Sequence, residues 1–150
     1  METVAVAIVV VVVGVFGIAL TFREARAKRR QVRKAVAGRE PLTAQEFFER
    51  HFQADGIPFS VVSGVRRILE EHLDADLSRL AASDDFSTNL NFFWRYDSMA
   101  DVEIVLALEK EFGIEIADAE AAAARTVRDI VGLVWSKKKQ AELPAPEGRP

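Results

Sequence analysis

The stretch FFWRYDSMADVEIVLALEKEF, residues 92–112, changes character at Asp97-Ser98. Before that step the chain is aromatic and irregular. After it, apolar residues recur with a helical period among acidic ones. Ile104, Leu108 and Phe112 are spaced four apart, with Val102 and Val105 flanking, so one side of this helix is suited to a core. The helix is expected to run from Ser98 to about Phe112, where Gly113 stops it. Asp97 or Ser98 is a good N-cap, and Ser98 with Asp101 approximates a capping box, so helix initiation alone accounts for both residues.

The flanking segments are also helical in pattern. SVVSGVRRILEEHL, residues 60–73, carries Val62, Val65, Ile68, Leu69 and Leu73 as one stripe. PLTAQEFFERHF, residues 41–52, opens with Thr43 as N-cap and Glu46 three residues on, and places Phe47, Phe48 and Phe52 near one face. Gly38 and Pro41 are expected to end the basic helix before it, and Gly56 and Pro58 the phenylalanine-rich helix itself. Residues 74–86 form a turn-rich connector with Leu77, Leu80 and Phe86 as apolar plugs. Downstream, Asp118 is expected to cap a short helix. Thr126 caps another, whose apolar side holds Val127, Ile130, Val131, Val134 and Trp135. No segment alternates with period two over a strand's length, so the predicted fold class is all-α.

Cysteine is absent from the 150 residues, which excludes disulfides, thiolate metal sites and a cysteine nucleophile. The two histidines, His51 and His72, are scattered, and both are expected on helix surfaces. No nucleophile–base pair, metal cluster or phosphate-binding glycine loop is visible, so neither a catalytic residue nor a metal site is assigned. The net charge of −3 conceals an asymmetry. Residues 23–40 hold eight Lys/Arg and two Glu, whereas residues 70–120 hold fourteen Asp/Glu against Arg79, Arg95 and Lys110. A basic collar beside an acidic domain implies two different partners. With no long positive surface on the folded part, nucleic acid is not among them.

Residues 3–22 carry no charge over 20 positions. A helix of that length spans roughly 30 Å, the thickness of a bilayer's hydrocarbon core. A cleaved signal peptide would need a basic region before a shorter apolar run, whereas here Glu2 precedes a long one. The expectation is a single transmembrane helix. Arg23, Arg26, Lys28, Arg29, Arg30, Arg33 and Lys34 follow at once, which places the N-terminus outside and the rest in the cytoplasm. Residues 3–34 would meet membrane lipid, the basic ones gaining about 1 kcal/mol each near anionic headgroups.

The order of helix, long connector, Asp97-Ser98-Met99, acidic helix, short helix and Thr126-Val127 resembles the acyl carrier protein family. Val102, Glu103, Ala107, Leu108, Glu109, Glu111, Phe112, Glu115 and Ile116 also match that family's pattern. The resemblance covers about residues 59–139. It implies an acyl-carrier-like four-helix bundle, here preceded by the membrane helix. It also implies 4′-phosphopantetheine attached covalently to Ser98, with Asp97 helping to position metal and transferase during attachment. The partners implied are a phosphopantetheinyl transferase and acyl-transferring or acyl-synthesising enzymes with basic patches. These would dock on Met99, Asp101, Glu103 and Glu109. The chain departs from the pattern in having Arg95-Tyr96 before Asp97, a longer loop from Phe86 to Ser98, and Ala100 and Lys110 in place of acids.

The expected division is a transmembrane anchor at 1–22, a basic juxtamembrane helix at 23–40, and an extra amphipathic helix and linker at 41–58. The carrier-like domain follows at 59–139, and a proline-rich tail at 140–150 is expected to be disordered. Phe92, Phe93 and Trp94 either pack over the bundle or form part of a docking surface. Two functions fit. One is a membrane-tethered carrier holding acyl groups as thioesters for membrane-associated enzymes. The other is an unmodified carrier-like module that recruits basic partners to the membrane through the same acidic face.

Overall fold

The computed structural model describes residues 2–143, and the expectation for the tail beyond them lies outside the described residues. The described residues form seven α-helices in order: α1 Glu2–Ala35, α2 Ala44–His51, α3 Phe59–Leu73, α4 Phe93–Tyr96, α5 Ala100–Phe112, α6 Asp118–Ala123 and α7 Val127–Glu142. A 3-10 turn, Gln53–Asp55, joins α2 to α3. Among the described residues there is no strand, only a lone bridge between Asp85 and Thr126. The regular structure of the described residues is all helical, and α7 continues two residues past the expected start of the tail.

The centre of the fold is α3, which packs against α2, α5 and α7. Its predicted stripe is buried in full, together with Val61. Gly64 permits close approach of α5, because a Cβ there would lie 2.8 Å from Cζ of Phe112. The Thr43–Glu46 capping box forms as the sequence implies and starts α2. Phe47 and Phe52 are then buried in the same core as Val61 and Leu69. The sequence pattern gave no reason to place Arg66 in the core, yet it is 6% exposed. Its guanidinium donates to the carbonyls of Thr43 at 3.0 Å and Leu42 at 2.8 Å, and lies over the Phe47 ring. Those bonds satisfy the buried charge and fasten the start of α2 to α3.

The apolar and basic runs form one unbroken helix. It ends at Ala35, before Gly38, which takes up a left-handed turn at φ 77°. In α1 the large side chains from Val6 to Phe22 are exposed, so nothing in the described chain covers them. This is one helix long and apolar enough to cross a membrane. Further along, Ala25, Lys28, Val32, Ala35 and Val36 share one face and are wholly or partly buried. That face holds the end of α1 to the domain: Lys28 Nζ donates to Leu73 O at 2.9 Å, and Val32 joins the main core.

Three local expectations are corrected. Helix α5 begins at Ala100 rather than Ser98, with Met99 at the cap position and no side-chain cap. The expected Ser98–Asp101 box does not form. Instead Asp97 Oδ1 accepts from Met99 N at 2.9 Å, and this Asx turn holds Ser98 and Met99 outside the helix. Asp118 is the first residue of α6, not its cap, and the Glu120 carboxylate accepts from Ala117 N at 3.0 Å instead. Val102, expected beside the core, is 45% exposed. By contrast, Thr126 caps α7 as expected, in a box closed by Asp129.

Candidate functional site

The segment leading to Ser98 is anchored by its aromatic residues. Phe92 and Phe93 are buried, their rings 4.5 Å apart, and Trp94 Nε1 donates to Phe86 O at 3.0 Å. Of the two readings of this trio, packing over the bundle is the one the structure adopts. The aromatic stretch ends in the single turn of α4, which packs against α1. Asp97 then turns to extended backbone at φ −146°, ψ 107°, and the chain emerges at Ser98.

Ser98 is exposed, as are Tyr96, Asp97, Met99, Asp101 and Val102 around it. Among the described residues no hydrogen bond engages its hydroxyl, while Asp97 and Asp101 accept from the N–H groups of Met99 and Val102. The hydroxyl therefore stands free in front of the first turn of α5. The N–H groups of Ala100 and Asp101 face the same end without a side-chain acceptor. A phosphodiester on Ser98 would sit at the positive end of the helix dipole, so these residues fit a phosphate-bearing arm.

Behind this point an apolar groove of about 520 Å³ opens between α5 and α6. Asp101 and Val102 stand at its Ser98 end, and Val105, Ile116, Ala121 and Ile130 line its interior. Met99 at the cap position, and Val102 and Leu106 on α5 along the groove's edge, are 56%, 45% and 58% exposed. They form an uncovered apolar strip bordered by Asp101 and Glu103. Leu106 was missed in reading the sequence. Its spacing of seven from Met99, about two helical turns, was the available signal.

The acidic residues expected to share a docking face do not behave alike. Asp101 and Glu103 are exposed, and Glu103 lies 3.7 Å from His72 Nδ1. Glu109 turns inward: its Oε1 accepts from Ile116 N at 2.7 Å and fixes the loop after Gly113. Among the described residues, no group of three or more His, Asp or Glu side chains gathers as a metal site.

Comparison with known proteins bears on the same region. The family model described as "Phosphopantetheine attachment site" matches residues 63–134. The chain is 34% identical over 77 residues to the acyl carrier protein of Thermosynechococcus vestitus, covering 51% of this chain and 90% of that protein. It is 39% identical over 77 residues to the acyl carrier protein of Caulobacter vibrioides, covering 51% and 94%. With that of Phenylobacterium zucineum the identity is 40% over 77 residues, covering 51% and 92%. Nearly whole carrier proteins are thus matched by about half of this chain. The chain belongs to the acyl carrier protein family: it is a carrier with covalently attached 4′-phosphopantetheine, not an enzyme.

Proposed function

We propose that this protein is a membrane-tethered acyl carrier whose arm is attached to Ser98. The observation that carries the proposal is the exposed, unbonded Ser98 hydroxyl in front of α5, about one helical turn before Asp101 and Val102, which border an apolar groove. When bound, the arm supplies the terminal thiol that holds an acyl group as a thioester, a nucleophile that this cysteine-free chain lacks. Ser98 provides the oxygen of the phosphodiester, and the first turn of α5 orients and stabilises that anion. Asp97 shapes the turn that exposes the hydroxyl, and its second carboxylate oxygen is free to meet Mg²⁺ during attachment.

The groove can shelter an acyl chain, each buried methylene contributing about 0.8 kcal/mol before costs. Met99, Val102 and Leu106 supply an apolar contact for partner enzymes, while Asp101 and Glu103 steer those with basic patches. The apolar part of α1 anchors the carrier in a membrane, with its basic collar on the cytoplasmic side, next to enzymes that make or use the acyl group.

Intact mass of the purified full chain tests the attachment. An increase of about 340 Da that maps to Ser98 and is absent from Ser98→Ala supports it. Because the hydroxyl makes no bond in the fold, Ser98→Ala should melt within a degree or so of the parent. A wild-type chain that remains unmodified beside an active phosphopantetheinyl transferase would favour the unmodified interaction module.

A further inference from the structure

The anchoring helix and the carrier domain are not separated by a flexible linker. Five residues lie between Phe22, at the end of the apolar run, and Lys28, a helical rise of ~9 Å. Lys28 is already bonded to the domain, through Leu73 O at 2.9 Å and Asp74 at 3.5 Å. Ala25, closer still to Phe22, is partly covered. Lys28 therefore links the base of the span to the C-terminal end of α3. Arg23, Arg26, Arg29, Arg30, Arg33 and Lys34 remain exposed around it.

The end of α3 determines which end of the domain lies nearest the span. Helix α5 runs antiparallel to α3: Gly64 faces Phe112, Arg67 meets Glu111 at 2.7 Å, and His72 meets Glu103 at 3.7 Å. The last turn of α3 is thus beside the first turn of α5, where Ser98 emerges. Independently, α4, which ends one residue before Asp97, packs against α1 itself. The opposite end of α3, at Phe59, is roughly 22 Å away along the helix.

Resting on the reading that α1 spans a membrane, we infer that the Ser98 end of the bundle is its membrane-facing end, held there by the docked base of α1. The thioester is then presented at headgroup level, to an enzyme embedded in the same bilayer whose active site opens at the membrane surface. A freely diffusing soluble enzyme would have to enter the narrow space between domain and lipid. The six exposed basic residues at this level meet anionic headgroups that the acidic α5 would otherwise repel.

Energy transfer from the holo full chain to the bilayer surface tests the orientation. A fluorescent non-natural residue is placed at Met99 or at Ser60, and the chain is reconstituted into phosphatidylethanolamine–phosphatidylglycerol vesicles bearing an acceptor on the headgroup. Transfer from position 99 should be severalfold stronger than from position 60. Insertion of a flexible Gly/Ser segment between Arg23 and Glu24 should abolish that difference while the chain still floats with the vesicles. Equal transfer from both positions, stronger transfer from position 60, or a difference that survives the insertion would overturn the orientation but leave the tether standing. A wild-type chain that does not float with vesicles would overturn the tether, and the orientation with it.

Discussion

Both terminal nitrogens of Arg39 reach the carboxylate of Asp84, at 2.6 and 2.9 Å, although Asp84 is 2% exposed. Ala81 N and Asn89 Nδ2 donate to the same carboxylate. The charge is buried because four donors converge on it, and two of them come from Arg39, four residues past the end of α1. Arg39→Ala should lower unfolding free energy by about 2 kcal/mol, the contribution of hydrogen bonds to a charged group. Urea denaturation of a soluble form beginning at Glu24 would measure it. A form beginning at Pro41 should lose more, since Val32 and Val36 are removed as well, each contributing about 1.5 kcal/mol when buried. We propose on this basis that the carrier unit starts near Ala25, not at residue 59. Equal stability of the two truncated forms would rule out a start near Ala25.

What could be read in the sequence follows from how local each signal was. Thr43–Glu46 and Thr126–Asp129 are boxes within one turn, and the stripe of α3 lies on one helix, so periodicity and capping chemistry were enough. The attachment of α1 was not legible. Lys28 and Arg39 look like members of a uniform basic collar, and only their partners 45 residues away, Leu73 and Asp84, distinguish them. Arg66 was hidden for the same reason, since its acceptors are carbonyls, which no sequence pattern marks. The exposure of Ser98 near a helix start was legible, but the Asx turn at Asp97 displaced the start of α5 by two residues. Glu109 was read as a surface acid because its acceptor role depends on how the chain folds back after Gly113.

The two acids of α5 should therefore separate in a mutational test. Glu103→Lys leaves the fold intact, because its side chain is 53% exposed, and weakens docking to a basic partner. Glu109→Lys removes the acceptor of Ile116 N and should cost about 1–2 kcal/mol. Thermal melts read the second effect, and partner affinity at low and high salt reads the first. Equal destabilisation by both changes would contradict the inward role of Glu109.

The pH dependence has a definite sign. Burial, then the charges of Arg128 and Arg50, hold the His51 pKa below its ordinary value. The fold thus favours neutral His51, and its contribution is complete above about pH 6.5, then declines as pH falls towards the lowered value. Asp129 is lowered chiefly by the Thr126 N–H, and Asp76 by Ser78, so their contributions fade below about pH 4. Stability should fall in two stages on acidification. His51→Gln should flatten the first stage and leave the second. Urea midpoints at a series of pH values check this, and an unchanged first stage in the variant would refute the assignment to His51.

The groove proposed to shelter the acyl chain makes a prediction about chain length. Ala121 is partly buried on its α6 wall, packed against the core. A larger side chain there reduces the space while leaving the sequence of α5 and Ser98 unchanged. Short acyl groups, which do not reach the groove, should be unaffected by Ala121→Phe. Long ones would lose burial, and exclusion of two methylenes corresponds to about 1.6 kcal/mol, or roughly tenfold in the sheltered population. Hydroxylamine cleavage of acetyl and long-chain thioesters on the holo protein reads this directly. Cleavage of the long-chain thioester should accelerate in Ala121→Phe and, to a lesser degree, in Ala121→Leu, while the acetyl thioester keeps its rate. A melt of each variant separates loss of the groove from loss of the fold. If both thioesters accelerate together in a variant that melts normally, the substitution acts on the arm, and the groove is not where the chain resides.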